Sequence, residues 1–189
     1  MKVLLGVIAA LVLLVIIVIA SCVGIWNGLV AKDETVKAAW STIDTQLQRR
    51  ADLIPNLVGT VKGYASHEKE IFESIANARA SLLSADTPAK KAVANDAVSA
   101  SLGRLLAIAE NYPNLKADQT FIRLQDELAG TENRISVARV RYNDDAKILN
   151  ASIRGFPGAL FAGPAGVKPA EYFQPQDKNA VQKPPEVKF

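Results

Sequence analysis

The chain begins with a long apolar run. From Val3 to Val23 no residue carries a charge. A helix of roughly 21 residues, at about 1.5 Å per residue, spans about 30 Å, which is the thickness of the hydrocarbon core of a bilayer. The pattern therefore predicts a single transmembrane anchor over residues 1–27.

The same run contains a second signal at its end. Ile19-Ala20-Ser21-Cys22 is similar to the lipobox of bacterial lipoproteins, in which the cysteine becomes the lipidated first residue. A cleaved secretory signal has a shorter apolar region of about 7–15 residues, so the length favours a retained anchor. Cys22 is a candidate lipidation site, and either route places the protein on a membrane.

The charges around the run leave the side of the membrane open. Lys2 and the terminal amine precede it, whereas Lys32 and Lys37 follow it, so the positive-inside rule gives nearly a tie. We expect a single-pass protein of the cell membrane, and the side that carries the remainder of the chain is not assigned by the sequence.

Beyond the anchor, two series of mostly apolar residues recur at seven-residue spacing. They are Val36, Ile43, Arg50, Leu57, Tyr64, Ile71 and Ala78, and Trp40, Leu47, Ile54, Val61, Glu68, Ile75 and Leu82. Because the series are offset by three and four, they form one continuous seam, which is typical of a helix packed lengthwise on other helices. Pro55 interrupts the hydrogen-bond ladder and Asp52 can cap a restarted turn, so a kink or short break is expected there.

Two further helices follow. Thr87 is a candidate N-cap before Pro88, and Pro113 ends this helix because it disfavours helical backbone at the preceding residue. Asp118 can cap the last long helix, and Gly155 is a stop signal after about 37 residues. The strongest apolar line of the last helix again runs at sevens: Phe121, Leu128, Ile135, Tyr142 and Leu149.

These elements predict an all-α fold: an N-terminal transmembrane helix followed by an elongated antiparallel bundle of three to four long helices over residues 28–156. Glycine and proline become frequent after Pro157, so residues 157–189 are predicted to be an extended or disordered tail. The apolar residues through which this tail could lie on the bundle are Tyr172, Phe173, Val187 and Phe189.

Few residues could support chemistry. His67 is the only histidine and Cys22 the only cysteine, whereas a nucleophilic triad needs such groups held together on a rigid scaffold. Tyr64 stands where the glutamate of a Glu-x-x-His di-iron pair would be, and no glycine-rich phosphate loop is present. We therefore predict no enzyme and no cofactor.

The net charge of +3 and the pI of about 9.0 do not change this view. Acidic and basic residues are interspersed along the helices, whereas a nucleic-acid site requires a clustered basic face. No nucleic-acid partner is predicted.

Arg50 and Glu68 interrupt the apolar seam and are candidate buried charges. They would lie about 27 Å apart on a straight helix, so each needs a partner from another helix. The candidates are Glu132, Asp144 and Asp145 for Arg50, and Arg139 and Arg141 for Glu68. Two interpretations stay open, a charge pair that fixes the helix register and a polar binding patch.

Several ordered motifs together resemble the LemA family. They are residues 26–30 (WNGLV), 49–58 (RRADLIPNLV), 110–117 (ENYPNLKA) and 131–143 (TENRISVARVRYN), followed by Asn150, Phe156-Pro157 and Tyr172-Phe173. The resemblance implies an N-terminal anchor and a helical bundle, and it implies no catalytic residues.

The combined pattern predicts a membrane-anchored scaffold or protein-interaction bundle, with the lipid bilayer and an unidentified protein as partners. The alternative is an accessory factor for membrane proteolysis or for an envelope stress response.

Overall fold

The structure is a computed structural model that describes residues 2–65 and 67–174, so the predictions for Val187 and Phe189 lie outside the described residues. These parts contain helices and no strand, which confirms the all-α prediction. The helices are α1 (Lys2–Lys62), α2 (Lys69–Ser84), α3 (Pro88–Ala109), α4 (Pro113–Lys116), α5 (Gln119–Arg154) and α6 (Gly158–Ala162).

The chain divides into two compact units. Among the described residues, the anchor unit contains those up to Ala38 together with Asp144–Ala170, and the bundle unit contains those of Ala39–Asn143 together with residues 171–174. The first part of α1 and the last part of α5 therefore belong to the anchor unit. The remainder of both helices forms the bundle unit with α2, α3 and α4.

The beginning of α1 is the candidate membrane span. Its side chains from Val3 to Val23 are exposed, and none of the apolar stretch is buried by other parts of the described chain. A second helix, α3, is also long and apolar enough to span a bilayer, but nearly half of its stretch is buried. The exposed positions of α1 match a lipid environment, whereas α3 is a core helix of the bundle unit.

Of the kink or short break predicted near Asp52–Pro55, the break is wrong, since α1 continues as a helix through Pro55. Proline lacks the N–H that would bond to the carbonyl of Ala51 four residues earlier. Arg79 of α2 supplies a replacement, because its Nε donates to Ala51 O at 2.7 Å. Asp52 does not cap a new turn, and its carboxylate instead accepts a hydrogen bond from Gln48 Nε2 at 2.9 Å.

Helix α1 ends at Lys62, before Gly63. A seam drawn without interruption from Val36 to Leu82 is therefore also wrong. Tyr64 lies after the end of α1, is 42% exposed, and donates its hydroxyl hydrogen to Asp118 Oδ2 at 3.0 Å. On either side of this interruption the apolar seam positions are buried: Ile43, Leu47, Ile54, Leu57, Val61, Ile71, Ile75 and Leu82.

The predicted helix starts are confirmed. Thr87 Oγ1 accepts a hydrogen bond from Lys90 N at 3.3 Å, with Pro88 at the first helical position. Asp118 Oδ1 accepts from Phe121 N at 3.0 Å and from Thr120 N at 2.7 Å. These backbone donors, with the Tyr64 hydroxyl, lower the pKa of Asp118.

Helix α5 has 36 residues and ends at Arg154, just before the predicted stop at Gly155. In the bundle unit it runs antiparallel to α1, because Trp40 contacts Tyr142 near one end while Tyr64 contacts Asp118 near the other. Within the predicted tail, Gly158–Ala162 forms the short helix α6, which the prediction did not include. Turns follow over residues 163–166, and residues 167–174 contain no helix or strand.

Replacing Arg79 with methionine should lower the free energy of unfolding by about 1–3 kcal/mol, since the carbonyl of Ala51 would lose its donor in a buried position. In a Pro55→Ala background the restored backbone N–H bonds that carbonyl, so Arg79→Met should cost less there. Urea unfolding of the full chain in detergent, followed by circular dichroism, measures both costs. Equal losses in the two backgrounds would contradict the assignment of Arg79 as the donor to Ala51 O. Arg104→Met, at an exposed arginine, is the control.

Candidate functional site

Arg50 is a buried cation in the bundle unit. Its side chain is 5% exposed, and it forms an ion pair with Glu132 of α5. Its Nη1 also donates to Asn95 Oδ1 of α3 at 2.7 Å, and Asn95 is itself buried. The guanidinium therefore contacts two helices besides its own.

Burial lowers the pKa of Arg50, because desolvation penalises its charged form, while the carboxylate of Glu132 acts in the opposite direction. The Nε of Arg50 has no hydrogen-bond partner among the described residues. A cation in this position depends on Glu132, whose side chain is 49% exposed and so connects the buried charge to the surface.

A shallow groove lies between α1 and α5 in the bundle unit, and we call it the α1/α5 groove. Its volume is about 640 Å³, and it is lined by Gln46, Arg49, Arg123, Asp126, Glu127, Gly130 and Arg134. Arg49 bonds Glu127 Oε2 at 2.8 Å, and this hydrogen bond lowers the pKa of Glu127. The groove offers exposed cations and carboxylates side by side, which suits a polar partner surface.

Glu68 lies apart from Arg50, in the segment between α1 and α2. It is half-buried at the N-terminus of α2, where its side chain makes no capping hydrogen bond. No ion pair of the described residues includes it, so the structure does not join it to Arg139 or Arg141. The predicted distance between Arg50 and Glu68 assumed one straight helix, and the end of α1 at Lys62 removes that basis.

The other candidate residues lie where they do not approach one another. Cys22 is a free, partly exposed thiol inside α1, and its lipidation stays a prediction. His67 is exposed between α1 and α2. Within residues 2–65 and 67–174, no group of acidic, histidine or cysteine side chains is arranged to hold a metal ion.

Two asparagines of α5 have a role that sequence reasoning missed. In the bundle unit, Asn143 Nδ2 donates to Phe173 O at 3.0 Å and its Oδ1 accepts from Phe173 N at 2.9 Å. In the anchor unit, Asn150 does the same with Ala170, at 2.9 and 2.8 Å. Each side chain thus satisfies both backbone groups of one residue in a segment without regular secondary structure.

The contact at Asn143 is reinforced by aromatic side chains in the bundle unit. Phe173 is 2% exposed, and its ring centroid lies 6.1 Å from that of Trp40. Trp40 also lies 5.6 Å from Tyr142, whose hydroxyl donates to Glu171 O at 2.6 Å. Burial raises the pKa of Tyr142. Phe173 was predicted to lie on the bundle and does so, whereas Tyr172 remains 37% exposed.

A signal for the asparagine contacts was present in the sequence. Asn143 and Asn150 are seven residues apart, and each directly follows a residue of the apolar line, Tyr142 or Leu149. Amide side chains repeated at that spacing beside a buried apolar stripe indicate a second set of buried positions whose polar atoms need partners. The backbone N–H and C=O groups of a segment without regular secondary structure can be those partners.

The antiparallel helical bundle and the candidate N-terminal span place the chain among helical-bundle proteins with a candidate membrane anchor. The chain belongs to the LemA family, whose model matches residues 39–189. The resemblance drawn from the sequence motifs is therefore confirmed.

The chain is also similar to several named proteins. Magnetosome proteins MamQ 1 and MamQ 2 of Paramagnetospirillum magneticum are each 29% identical to it over 189 residues, covering 86% of this chain and 70% of the relative. Protein LemA of Metamycoplasma hominis is 26% identical over 135 residues, covering 71% of this chain and 62% of the relative. These names identify no reaction.

Replacing Glu132 with alanine should destabilise the protein by about 2–4 kcal/mol, because the buried charge of Arg50 would lose its counter-ion. The double variant Arg50→Met, Glu132→Ala should recover part of this loss, since it leaves no charge buried. The matched control is Glu127→Ala, which removes the exposed pair with Arg49 and should cost less than about 1 kcal/mol. Denaturant unfolding of the full chain measures all three, and similar losses for Glu132→Ala and Glu127→Ala would sink the assignment.

Replacing Asn150 with alanine should accelerate hydrogen exchange at the backbone amide of Ala170. The variant removes two hydrogen bonds, each with a net contribution of about 1 kcal/mol, so exchange should rise by roughly 30-fold. Mass spectrometry of peptic fragments from the full chain follows this amide. Asn77→Ala, at an exposed asparagine of α2, should leave it unchanged, and protection that survives in Asn150→Ala would refute the contact.

Proposed function

We propose that this protein is a non-enzymatic, membrane-anchored interaction protein. The first part of α1 holds it in the bilayer, and the α1/α5 surface of the bundle unit binds a protein partner. The observation that supports the anchor most directly is the run of exposed apolar side chains from Val3 to Val23, which no described part of the chain covers.

Transfer of the apolar run from water into lipid is strongly favourable. Each buried Val, Leu or Ile side chain contributes about 1.5–3 kcal/mol when it leaves water. More than ten such residues lie in the run, so transfer into lipid is favoured by roughly tens of kcal/mol. A water-exposed helix of this composition would aggregate, whereas a bilayer satisfies it along its whole length.

The argument for a protein partner comes from the outer face of α5 in the bundle unit. Val137 and Val140 are 55% and 58% exposed there. Val137 lies three residues after Arg134 and seven after Gly130, which places it on the helix face that borders the α1/α5 groove. Exposed apolar side chains beside arginines are typical of protein interfaces.

The names of the relatives, magnetosome protein and protein LemA, describe no substrate and no reaction. The accessory-factor alternative predicts a different partner, a membrane protease or a stress-response component. Identification of the bound protein distinguishes it from a general scaffold.

Photocrosslinking in native membranes tests the proposal. The full chain carries p-benzoylphenylalanine in place of Val137, and the membranes are washed with alkaline carbonate before irradiation. We expect the chain to remain in the washed membranes and to form one discrete crosslinked species with another protein. An additional Arg134→Glu change should reduce that species severalfold, because Arg134 belongs to the same groove.

The matched control places the same photoreactive residue at Val93, an exposed apolar position on α3 of the bundle unit. It should give no discrete species. Release of the chain by carbonate would refute the anchor. Equal crosslinking from positions 137 and 93, or insensitivity to Arg134→Glu, would refute the assigned surface.

A further inference from the structure

The turn that follows α5 exposes two large apolar side chains in the anchor unit. Phe156 is 86% exposed and Leu160 is 64% exposed, although Gly158 between them is buried. Exposed side chains of this size on a short, well-packed turn need a partner to cover them. The position of the turn limits which partner can cover them.

Contacts within the anchor unit place this turn beside the end of the candidate span. Lys32 Nζ donates to Ser152 Oγ at 2.8 Å in the last turn of α5. Residues 155–158 then line a groove of about 640 Å³ with Ser21, Gly24, Gly28 and Leu29 of α1. Lys32 is the first charged residue after Lys2, so the turn lies level with the uncharged end of the span.

The backbone of the turn is held tightly in this position. A Cβ added to Gly158 would lie 2.0 Å from Ser152 O and 3.8 Å from Leu29 Cδ2. A Cβ cannot lie 2.0 Å from an oxygen atom, so no side chain fits at position 158. The turn therefore packs against the end of α5 at this glycine. Phe156 therefore has a defined place next to α1.

The charges around the turn complement a lipid surface. Between Ala146 and Ala170 the chain carries Lys147, Arg154 and Lys168 and no acidic residue. Cations close to exposed apolar side chains are the combination by which amphipathic segments bind membranes that contain anionic lipids. A bilayer already surrounds α1 at this level if α1 spans the membrane.

We propose that residues 155–160 form a second membrane contact, in which Phe156 and Leu160 insert into the interfacial layer of the bilayer beside α1. The occupant of this apolar surface is lipid. This inference rests on the proposed function only through the membrane-spanning role of α1. It adds that the end of α5 is attached to the membrane surface as well.

Depth-dependent fluorescence quenching tests the contact. The full chain, in a Cys22→Ala background, carries a single Phe156→Cys change labelled with the environment-sensitive dye NBD. It is reconstituted into vesicles of phosphatidylcholine and phosphatidylglycerol. We expect blue-shifted emission, severalfold stronger quenching by lipids with a nitroxide near the headgroup than by aqueous iodide, and the same behaviour for Leu160→Cys.

The matched control is Ile148→Cys, a 53% exposed position of α5 in the same unit, about 9 Å before the end of that helix. Its label should be quenched by iodide and little by lipid nitroxides. Quenching of the position-156 label by iodide alone, with the chain retained after carbonate extraction, overturns the inference and leaves the anchor intact. Loss of the chain on extraction overturns both.

A second copy of the chain is the competing occupant, and the unlabelled Phe156→Cys protein in the same vesicles distinguishes it. A label at position 156 that is protected from both quenchers, together with crosslinking of two unlabelled chains through the free thiol of that cysteine, would show a protein contact in place of lipid. That result would overturn the inference.

Discussion

Burial of one face of α1 is the constraint on which the bundle unit depends. Ile43, Leu47, Ile54 and Leu57 are all nearly inaccessible to solvent, and they follow the spacing of a helix packed lengthwise on its neighbours. Helices that lie alongside α1 cover such a stripe along its length. In the bundle unit α5 lies antiparallel to α1, and α2 and α3 contact α1 through Arg79 and Asn95.

A continuous buried face leaves little freedom for polar groups, and the bundle unit satisfies them individually. Arg79 supplies the hydrogen-bond donor that Pro55 lacks. Helix α1 continues through this position. Arg50 is compensated by Glu132 and Asn95 from two other helices. In both cases an arginine side chain connects helices. Arg79 of α2 donates to a carbonyl of α1 that has no backbone donor, and Arg50 of α1 contacts groups on α3 and α5.

The anchor unit meets a different constraint. The apolar stretch of α1 is exposed along its length, and the turn after α5 adds Phe156 and Leu160 to the exposed apolar surface of the same unit. In the bundle unit other helices cover the apolar face of α1. The exposed stretch is not covered by the described chain and requires another apolar environment. The LemA family match covers residues 39–189 and begins after the apolar stretch. The proposed anchor and partner surface assign a role to each unit.

Periodicity and local capping chemistry were sufficient to determine the helical class, the candidate span, the starts at Thr87 and Asp118 and the end at Gly155. These features depend on a few neighbouring residues or on a repeat that any packed helix must show. Tertiary structure decided the continuity of α1 at Pro55, the partners of Arg50, the position of Glu68 outside the seam, and the asparagine contacts of Asn143 and Asn150. Each of these depends on which group from a distant part of the chain satisfies a polar atom, and local sequence does not specify that group.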